Sequence, residues 1–164
     1  MQTSNIPFIS EVETFNLTFG KIHNTTPTLV EEKDWKFVHG FIDEELQEYK
    51  EACEAGDIVE IADALGDLVY VVSNGIITHG LQEVFPKIYE EIQASNMSKA
   101  CKTEMEAETT VQIRSEQQGT ACHYEKVGDL YIVYRSHDRK VMKSINYFKP
   151  NLKKILDEHK QLTN

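Results

Sequence analysis

The sequence predicts a mainly α-helical protein, a helical bundle with a small C-terminal β appendage of three short strands. Through the first hundred residues, apolar side chains recur at helical spacing, and short links that contain glycine or proline separate the periodic segments. After Cys101 the pattern changes to short runs rich in valine, isoleucine and tyrosine, which are typical of strands. With 164 residues, the chain is long enough to bury the core of one domain.

Four helices are expected in the first part of the chain. Gly56 ends the second helix, Asp57 is placed to cap the third, and Gly80 ends the third. Because the links between these helices are short, we expect neighbouring helices to run antiparallel, as in a bundle. The predicted helices cover residues 8–23, 32–55, 58–79 and 82–101.

The remaining residues predict a mixed segment. A polar helix covers 104–118, and a final helix started by Pro150 lies within 146–161. Between these helices lie three short strands, with the sequences ACHYEK, LYIVYRS and KVMKSI, separated by turn residues. We therefore divide the chain into an α-helical core at 1–103 and a segment at 104–164 that packs on the same domain.

Charge and composition exclude several functions. The formal net charge of −10 argues against binding nucleic acid or an acidic membrane through a basic surface. The N-terminus lacks a basic head followed by an apolar run, and no apolar stretch is long enough for a membrane span. Three widely spaced cysteines without a C-x-x-C pair indicate neither a zinc site nor a disulfide framework. We therefore expect a cytoplasmic protein.

Two acids of the second helix fall where its apolar face is expected. Counting about 100° per residue places Val38 and Tyr49 on one side, together with the other large apolar residues. Glu45 lies in the middle of that side and Glu48 at its edge, whereas Glu44 lies further round the helix. Glu45 therefore occupies a position that packing would give to a hydrophobic residue.

The third helix carries an acidic stripe opposite its main apolar face. Glu60, Asp63 and Asp67 are spaced by three and four residues, and Tyr70 and Asn74 continue the same stripe. The flanks of the stripe are small or apolar, so the helix is apolar on nearly every side and is expected to be buried. We therefore expect these acids to face another element of the protein and not open water.

These acids lack basic partners close in sequence, because residues 51–86 contain no lysine or arginine. Burying an ionised carboxylate costs several kcal/mol unless another charge compensates it. Carboxylates that converge from two helices are hard oxygen ligands, which suit Mg²⁺ or Mn²⁺. A solvated helix face is the alternative for a run such as DEELQE, and the central position of Glu45 favours the metal. No Glu-x-x-His occurs, which disfavours a ferritin-like di-iron centre.

The fourth helix adds polar groups to a row of core-facing residues. Phe85, Ile88 and Ile92 define this row, and Asn96 and Lys99 lie on or beside its continuation. A lysine and an amide at that place either contact a charged ligand or mark a helix end that leaves the core. The residues alone leave both interpretations open.

Four fragments in this order resemble one enzyme family. They are EELQE, IADALGDLVYVVSNGIITHG, ASNMSK and KVMKSINYFKPNL, and they are similar to the all-α NTP pyrophosphohydrolases, MazG-like and related to phosphoribosyl-ATP pyrophosphohydrolase. The similarity covers roughly residues 11–100 and returns at 140–152. It implies a MazG-like helical fold, usually dimeric or higher, and Mg²⁺ held by acidic residues. It also implies hydrolysis of a nucleoside triphosphate to the monophosphate and pyrophosphate.

The resemblance implies roles for the acids. The first motif comprises Glu44, Glu45 and Glu48, of which Glu45 and Glu48 would hold the metal. Glu44 is adjacent to this pair but rotated off it, so it is our candidate for the general base that accepts a proton from water. Glu44 and Glu45 could exchange these roles. Asp67, which precedes the Leu-Val-Tyr fragment, matches a third ligand.

The fourth ligand departs from the family pattern. Many relatives carry Glu-x-x-Asp at this point, and the glutamate would fall at Ala64 in this sequence. The partner of Asp67 is then Asp63, one residue earlier, or else the pair is Glu60 with Asp63. We take Asp63 as the candidate ligand and keep Glu60 as the alternative.

The resemblance also implies contacts to phosphate. Asn96 and Lys99 match the phosphate-contacting residues of such enzymes, which favours function for the end of the fourth helix. Lys143 lies in the similar C-terminal stretch and could reach phosphate as well. Arg135 and Arg139 nearby are interpreted as the solvated end of a hairpin.

Two rival functions and the expected partners complete the prediction. A phosphoribosyl-ATP pyrophosphohydrolase would share the metal site, whereas a non-enzymatic helical assembly module would need no metal. The third helix is apolar on almost every side, so we expect a homodimer or homotetramer that covers it. A nucleotide is the expected substrate, and neither a nucleic acid nor a membrane is expected as a partner.

Overall fold

The computed structural model describes residues 7–163, and these form six helices and one two-stranded antiparallel sheet. The fold is mainly α-helical with a small β appendage, as the sequence predicts. In chain order the elements are α1 (Pro7–Thr18), α2 (Glu32–Ala55), α3 (Ile58–Thr78), α4 (Phe85–Met97), α5 (Glu104–Gln118), β1 (Cys122–Val127), β2 (Leu130–Arg135) and α6 (Leu152–Thr163).

Most of the helix bounds agree with the predicted ones. The exceptions are α1 and α4, and backbone contacts after α4 explain why that helix ends early. The side chain of Asp57 caps α3 by accepting hydrogen bonds from two backbone N–H groups, as expected. α1 stops at Thr18, and α4 begins at Phe85 and ends at Met97, so both are shorter than predicted. The backbone of Cys101 instead exchanges two hydrogen bonds with Tyr131, at 2.8 and 2.9 Å, which draws the residues after Met97 out of the helix.

The prediction of a third strand is wrong. Within KVMKSI, Val141 forms an isolated bridge to Tyr134, and the N–H of Met142 donates to the carbonyl of Val133 at 2.8 Å. The segment then leaves the sheet, because the buried Ser144 donates a hydrogen bond to a carboxylate of α5. The sheet therefore has two strands in the described residues, β1 and β2.

The chain divides into two compact units. The first contains the residues up to Lys87 together with those from Glu158 onward, and the second contains Ile88–Asp157. Both boundaries fall inside helices, one in α4 and one in α6. The division of the sequence at residue 103 stays a prediction.

In the first unit, α1 and α2 pack on α3. Val12 of α1 and Ile77 of α3 are fully buried in the same hydrophobic cluster. Gly75 lets α2 approach α3 closely, since a Cβ at this glycine would lie 3.2 Å from a methyl carbon of Val38. α3 is thus the central helix of the first unit.

In the second unit, α5 packs on the β1–β2 hairpin around a cluster that includes Cys101 and Val133. Thr103 caps α5 by accepting a hydrogen bond from the N–H of Glu106 at 3.2 Å. Burial would raise the pKa of Glu106, but hydrogen bonds from Ser144 and from the backbone of Lys102 hold it below its ordinary value. Glu106 is therefore an ionised carboxylate that fixes the start of α5.

The end of α3 depends on Gly80. This residue has φ +66°, and a Cβ there would overlap the carbonyl of Thr26 and lie 2.9 Å from its nitrogen. We expect Gly80→Ala to lower the free energy of unfolding by about 3 kcal/mol, because backbone strain and a steric clash add. Denaturant unfolding followed by circular dichroism measures this change.

Gly20→Ala is the matched control. Gly20 has nearly the same backbone conformation, with φ +61°, and nothing lies within 4 Å of the position of an added Cβ. Only the backbone strain applies there, so a loss of about 1 kcal/mol is expected. Equal losses for the two variants would show that the contact with Thr26 does not constrain α3.

Candidate active site

Glu45 lies on α2, half-buried and surrounded by other acids. Its Oε2 atom is buried and has no hydrogen-bond partner among the described residues. Burial raises the pKa of Glu45 above its ordinary value, and the negative charges of four neighbouring acids raise it further. In decreasing order of effect, those acids are Glu48, Asp67, Glu44 and Asp63.

The donor set suits a divalent metal ion by its chemistry. Each of these acids offers carboxylate oxygens, and the buried Oε2 of Glu45 is an acceptor that a cation would satisfy. Between residues 7 and 163, however, no three Asp, Glu, His or Cys side chains are already arranged to hold an ion. The acids are therefore neighbours around Glu45 whose side chains do not form a closed coordination site.

The acids are more exposed than the sequence predicts. Glu60, Asp63 and Asp67 are all exposed in this chain, so the expectation that these acids are internal is wrong for a single copy. α3 is not a fully buried helix either, because α1 and α2 cover only part of its surface and Leu65 remains 46% exposed. Water solvates most of these carboxylates, which lowers the cost of leaving them without basic partners.

Position favours Asp63 over Glu60 as the fourth acid. Glu60 lies in the first turn of α3, where its N–H donates to Oδ1 of Asp57 at 3.3 Å. Asp63 lies one turn further along α3, and its negative charge raises the pKa of Glu45. The structure thus brings Asp63 to the group around Glu45.

The far end of the stripe on α3 serves packing. Asn74 Oδ1 accepts a hydrogen bond from Nδ2 of the buried Asn16 at 2.8 Å. The ring of Tyr70 meets Phe15 edge to face, with 5.7 Å between ring centres. The part of the stripe that could hold a ligand is therefore the acidic part, at positions 60–67.

The candidate phosphate-binding residues belong to the second unit, whereas the acids belong to the first. After the end of α4, Lys99 Nζ donates to Asn96 Oδ1 at 2.8 Å. Lys143 Nζ lies 4.4 Å from the centre of the Tyr147 ring. A hydrogen bond with Ser95 lowers the pKa of Tyr147, and the positive charges of Lys143 and Lys99 lower it further. The structure thus brings both lysines close to one tyrosine.

Sequence reasoning missed Ser95 and Tyr147. Ser95 is buried, and its Oγ donates to the carbonyl of Phe148 at 2.8 Å and lies 3.4 Å from Tyr147 Oη. A serine that continues the apolar row of Ile88 and Ile92 was the available signal for a buried hydroxyl. Tyr147 gave no such signal, because its partners are distant in sequence.

The basic residues of the hairpin are mostly paired with acids. Arg135 Nε donates to Asp138 Oδ1 at 2.9 Å, and Arg139 Nη1 donates to Glu125 Oε1 at 2.9 Å. Both pairs are at least partly exposed, as expected for the solvated end of a hairpin. Lys143 differs, because its ammonium group lies over the ring of Tyr147.

One family model covers the helices that carry the candidate acids. Residues 12–96, more than half of the chain, match the model of phosphoribosyl-ATP pyrophosphohydrolase, PRA-PH. The chain belongs to the PRA-PH family. This family is part of the MazG-like all-α NTP pyrophosphatase superfamily, so the resemblance found in the sequence is confirmed. No curated protein matches the chain.

Membership of the PRA-PH family gives the chain an enzymatic class. The family supports a pyrophosphohydrolase activity, and its enzymes typically depend on a divalent metal. The matched region contains all the candidate acids and ends at Asn96, so Lys99 and Lys143 lie beyond it.

Among the residues that the structure describes, one helix, α3, is long and apolar enough to cross a membrane by length and composition alone. PRA-PH enzymes are soluble, however. α3 also packs against α1 and α2 and carries acids along one side. We therefore treat α3 as a helix of a soluble protein.

We expect Glu45→Gln to stabilise the metal-free protein at neutral pH. The change removes one negative charge from among four others at nearly constant shape, and partly exposed charge pairs interact by about 0.5–1 kcal/mol. Because folding raises the pKa of Glu45, its ionisation costs stability as pH rises through the folded value, and the cost is absent at acid pH. Denaturant unfolding in EDTA over a pH series should show a gain that shrinks towards acid pH.

Glu51→Gln makes the same chemical change on the exposed side of α2, where Glu51 accepts a hydrogen bond from Gln47 at 2.7 Å. That variant should be as stable as the wild type or slightly less stable. If Glu45→Gln were the less stable protein at neutral pH, the idea that acids crowd Glu45 would be wrong.

Proposed function

We propose that this PRA-PH protein hydrolyses the anhydride bond between the α and β phosphates of a nucleoside triphosphate or related nucleotide, with Mg²⁺ or Mn²⁺ as cofactor. The products would be a nucleoside monophosphate and pyrophosphate. The proposal is carried by the buried Oε2 of Glu45, which lacks a partner in the described residues and lies among four further acids. A purely structural role would leave these like charges to repel one another with no compensating interaction.

In the proposed site the acids divide between two roles. A bound Mg²⁺ or Mn²⁺ would supply charge screening for the phosphates and would lower the pKa of the attacking water. Glu44 is exposed and lies beside Glu45, and we assign it to accept the proton of the attacking water, a role that Glu45 could exchange with it. The residues that would hold the metal are Glu45, Glu48, Asp63 and Asp67.

Lys99 and Lys143 would neutralise the phosphates. The positive charges of both lysines lower the pKa of Tyr147, so two positive charges of the second unit lie near one group. Asn96 holds Lys99 through the 2.8 Å hydrogen bond and so limits the positions of its ammonium group. Such fixed charges stabilise a leaving pyrophosphate more effectively than mobile ones.

The family match favours a second substrate candidate, phosphoribosyl-ATP itself, which would use the same acids. A non-enzymatic assembly module is the remaining alternative, and PRA-PH membership counts against it. The net charge of −10 still disfavours nucleic acid as a partner, and a cytoplasmic location is part of the proposal.

We expect Asp67→Asn to remove activity without unfolding the protein. Pyrophosphate release would be measured with Mg²⁺ and a panel of ribo- and deoxyribonucleoside triphosphates and phosphoribosyl-ATP, which also separates the substrate candidates. Loss of one metal-binding carboxylate should slow release by at least about 100-fold. Metal-free stability should stay equal or rise, because one charge leaves the acidic group, and the rise in melting temperature on adding Mg²⁺ should largely disappear.

Asp43→Asn is the matched control, since Asp43 is exposed on α2 and is not among the acids that act on Glu45. It should keep both the activity and the Mg²⁺-induced stabilisation. Equal Mg²⁺ effects in Asp67→Asn and wild type would exclude Asp67 as a ligand. Release of inorganic phosphate only, or full activity in EDTA, would overturn the proposed reaction.

A second copy of the chain is the proposed partner for α3. Ile58, Leu65, Val69 and Val72 fall on one face by helical spacing, and all four are exposed, with Ile58 at 73%. An apolar stripe of this length on a soluble protein marks an interaction surface. We therefore propose a homodimer or homotetramer in which a neighbouring copy covers this stripe.

We expect Leu65→Glu to shift the protein to a smaller assembly, because it places a charge in the middle of that stripe. Sedimentation velocity at micromolar concentration would measure the change. Leu162→Glu is the control, since Leu162 is exposed on α6 and lies outside the stripe, and it should leave the assembly unchanged. A wild-type monomer at this concentration would refute the proposal.

A further inference from the structure

A cavity of about 460 Å³ lies within the second unit. It is lined by the end of α4 and the residues that follow, by α5 and β2, and by the segment that precedes α6. Its large apolar side chains are Met97, Leu130 and Phe148. The volume falls in the range of sites that bind small molecules, roughly 300–1,000 Å³, and such sites combine apolar walls with a few polar groups.

The polar groups of this cavity are fixed in place. Glu106 accepts hydrogen bonds from the backbone of Lys102, at 2.9 Å, and from the hydroxyl of Ser144. The side chain of Asn146 lies near Glu106 and lowers the pKa of that carboxyl. An asparagine amide offers N–H donors and a carbonyl acceptor to a ligand. The cavity thus has one edge that can read a hydrogen-bonding pattern.

The apolar walls suit a flat ligand. Met97 is 55% exposed and Phe148 is 45% exposed, although both line the cavity. An aromatic ligand would cover both side chains, because thioether sulfur and phenyl rings each pack favourably on aromatic rings.

The cavity shares its segments with the candidate phosphate-binding residues. Lys99 follows Met97 by two residues, and Lys143 precedes Phe148 by five. Ser98 joins the two segments, because its Oγ accepts a hydrogen bond from the N–H of Phe148 at 3.2 Å. Basic groups for an anion and a cavity for a flat aromatic group therefore occur on the same two stretches of the second unit.

We propose that this cavity takes the nucleobase of a nucleotide, stacked on Phe148 and read at its edge by Asn146 and Glu106. The inference rests on the proposed function, because it assigns the base of the same substrate. A nucleobase has a flat apolar face and a hydrogen-bonding edge, and its nucleotide carries the anionic groups that Lys99 and Lys143 suit.

Isothermal titration calorimetry of the full chain in EDTA tests this assignment with AMP, GMP, CMP, UMP and ribose 5-phosphate. At least one nucleotide should bind about tenfold more tightly than ribose 5-phosphate, because stacking a base on an aromatic side chain supplies about that factor or more. Phe148→Ala should remove this preference and leave the affinity for ribose 5-phosphate unchanged. Tyr89→Ala, at an exposed aromatic residue of α4 that is not among the lining residues, should keep the preference.

Ala94→Phe provides a second variant, because Ala94 lines the cavity and a larger side chain would fill part of it. This variant should also lose the preference for a nucleotide. A preference that persists in both variants, or no nucleotide binding more tightly than ribose 5-phosphate, would overturn the proposal. A smaller assembly of Phe148→Ala with an intact preference would also overturn it, and would make the cavity an interface between copies.

Different experimental results would refute the proposed base site and the proposed hydrolytic reaction. Asp67→Asn should lose pyrophosphate release and still bind the preferred nucleotide about tenfold more tightly than ribose 5-phosphate. Loss of the base preference in this variant would place the base elsewhere. Absence of pyrophosphate release by the wild type, with the preference present, would refute the reaction and leave the base site standing.

Discussion

Electrostatic repulsion around Glu45 is the constraint on which the first unit depends. Glu45 lies half-buried on α2, and four neighbouring acids raise its pKa because each carries the same negative charge. The apolar contacts of α3 with α1 and α2 must offset this repulsion in the metal-free chain. The four acids around Glu45 are exposed, and their solvation by water reduces the free-energy cost of this repulsion. The divalent cation that we propose for this site would reduce the repulsion among these acids.

The two units carry opposite kinds of charged group. The acids around Glu45 belong to the first, and Lys99 and Lys143 with the ring of Tyr147 belong to the second. The PRA-PH family model covers α2, α3 and most of α4, so it includes the acids and ends before both lysines.

Local signals made much of this structure predictable from sequence. The cap at Asp57 defined the start of α3, and helical counting placed Glu45 on the packed side of α2. Helical counting could not show how much of α3 its neighbours cover, so the acids were expected to be internal. The missing third strand and the position of Tyr147 depend on contacts between distant segments, such as that of Ser144 with Glu106. Periodicity carries no information about contacts of this kind.

Hydroxyl groups hold the segment between β2 and α6, which has no regular secondary structure from residue 143 to 148. Ser95 donates to the carbonyl of Phe148, Ser98 accepts from its N–H, and Thr110 accepts from the N–H of Ile145 at 3.2 Å. Serine and threonine side chains are short and have few rotamers, so these anchors leave the backbone little freedom. A loop that is already ordered loses little conformational entropy when a ligand arrives. The affinity of this segment for an anion or an aromatic group would therefore be reduced very little by the cost of ordering the loop.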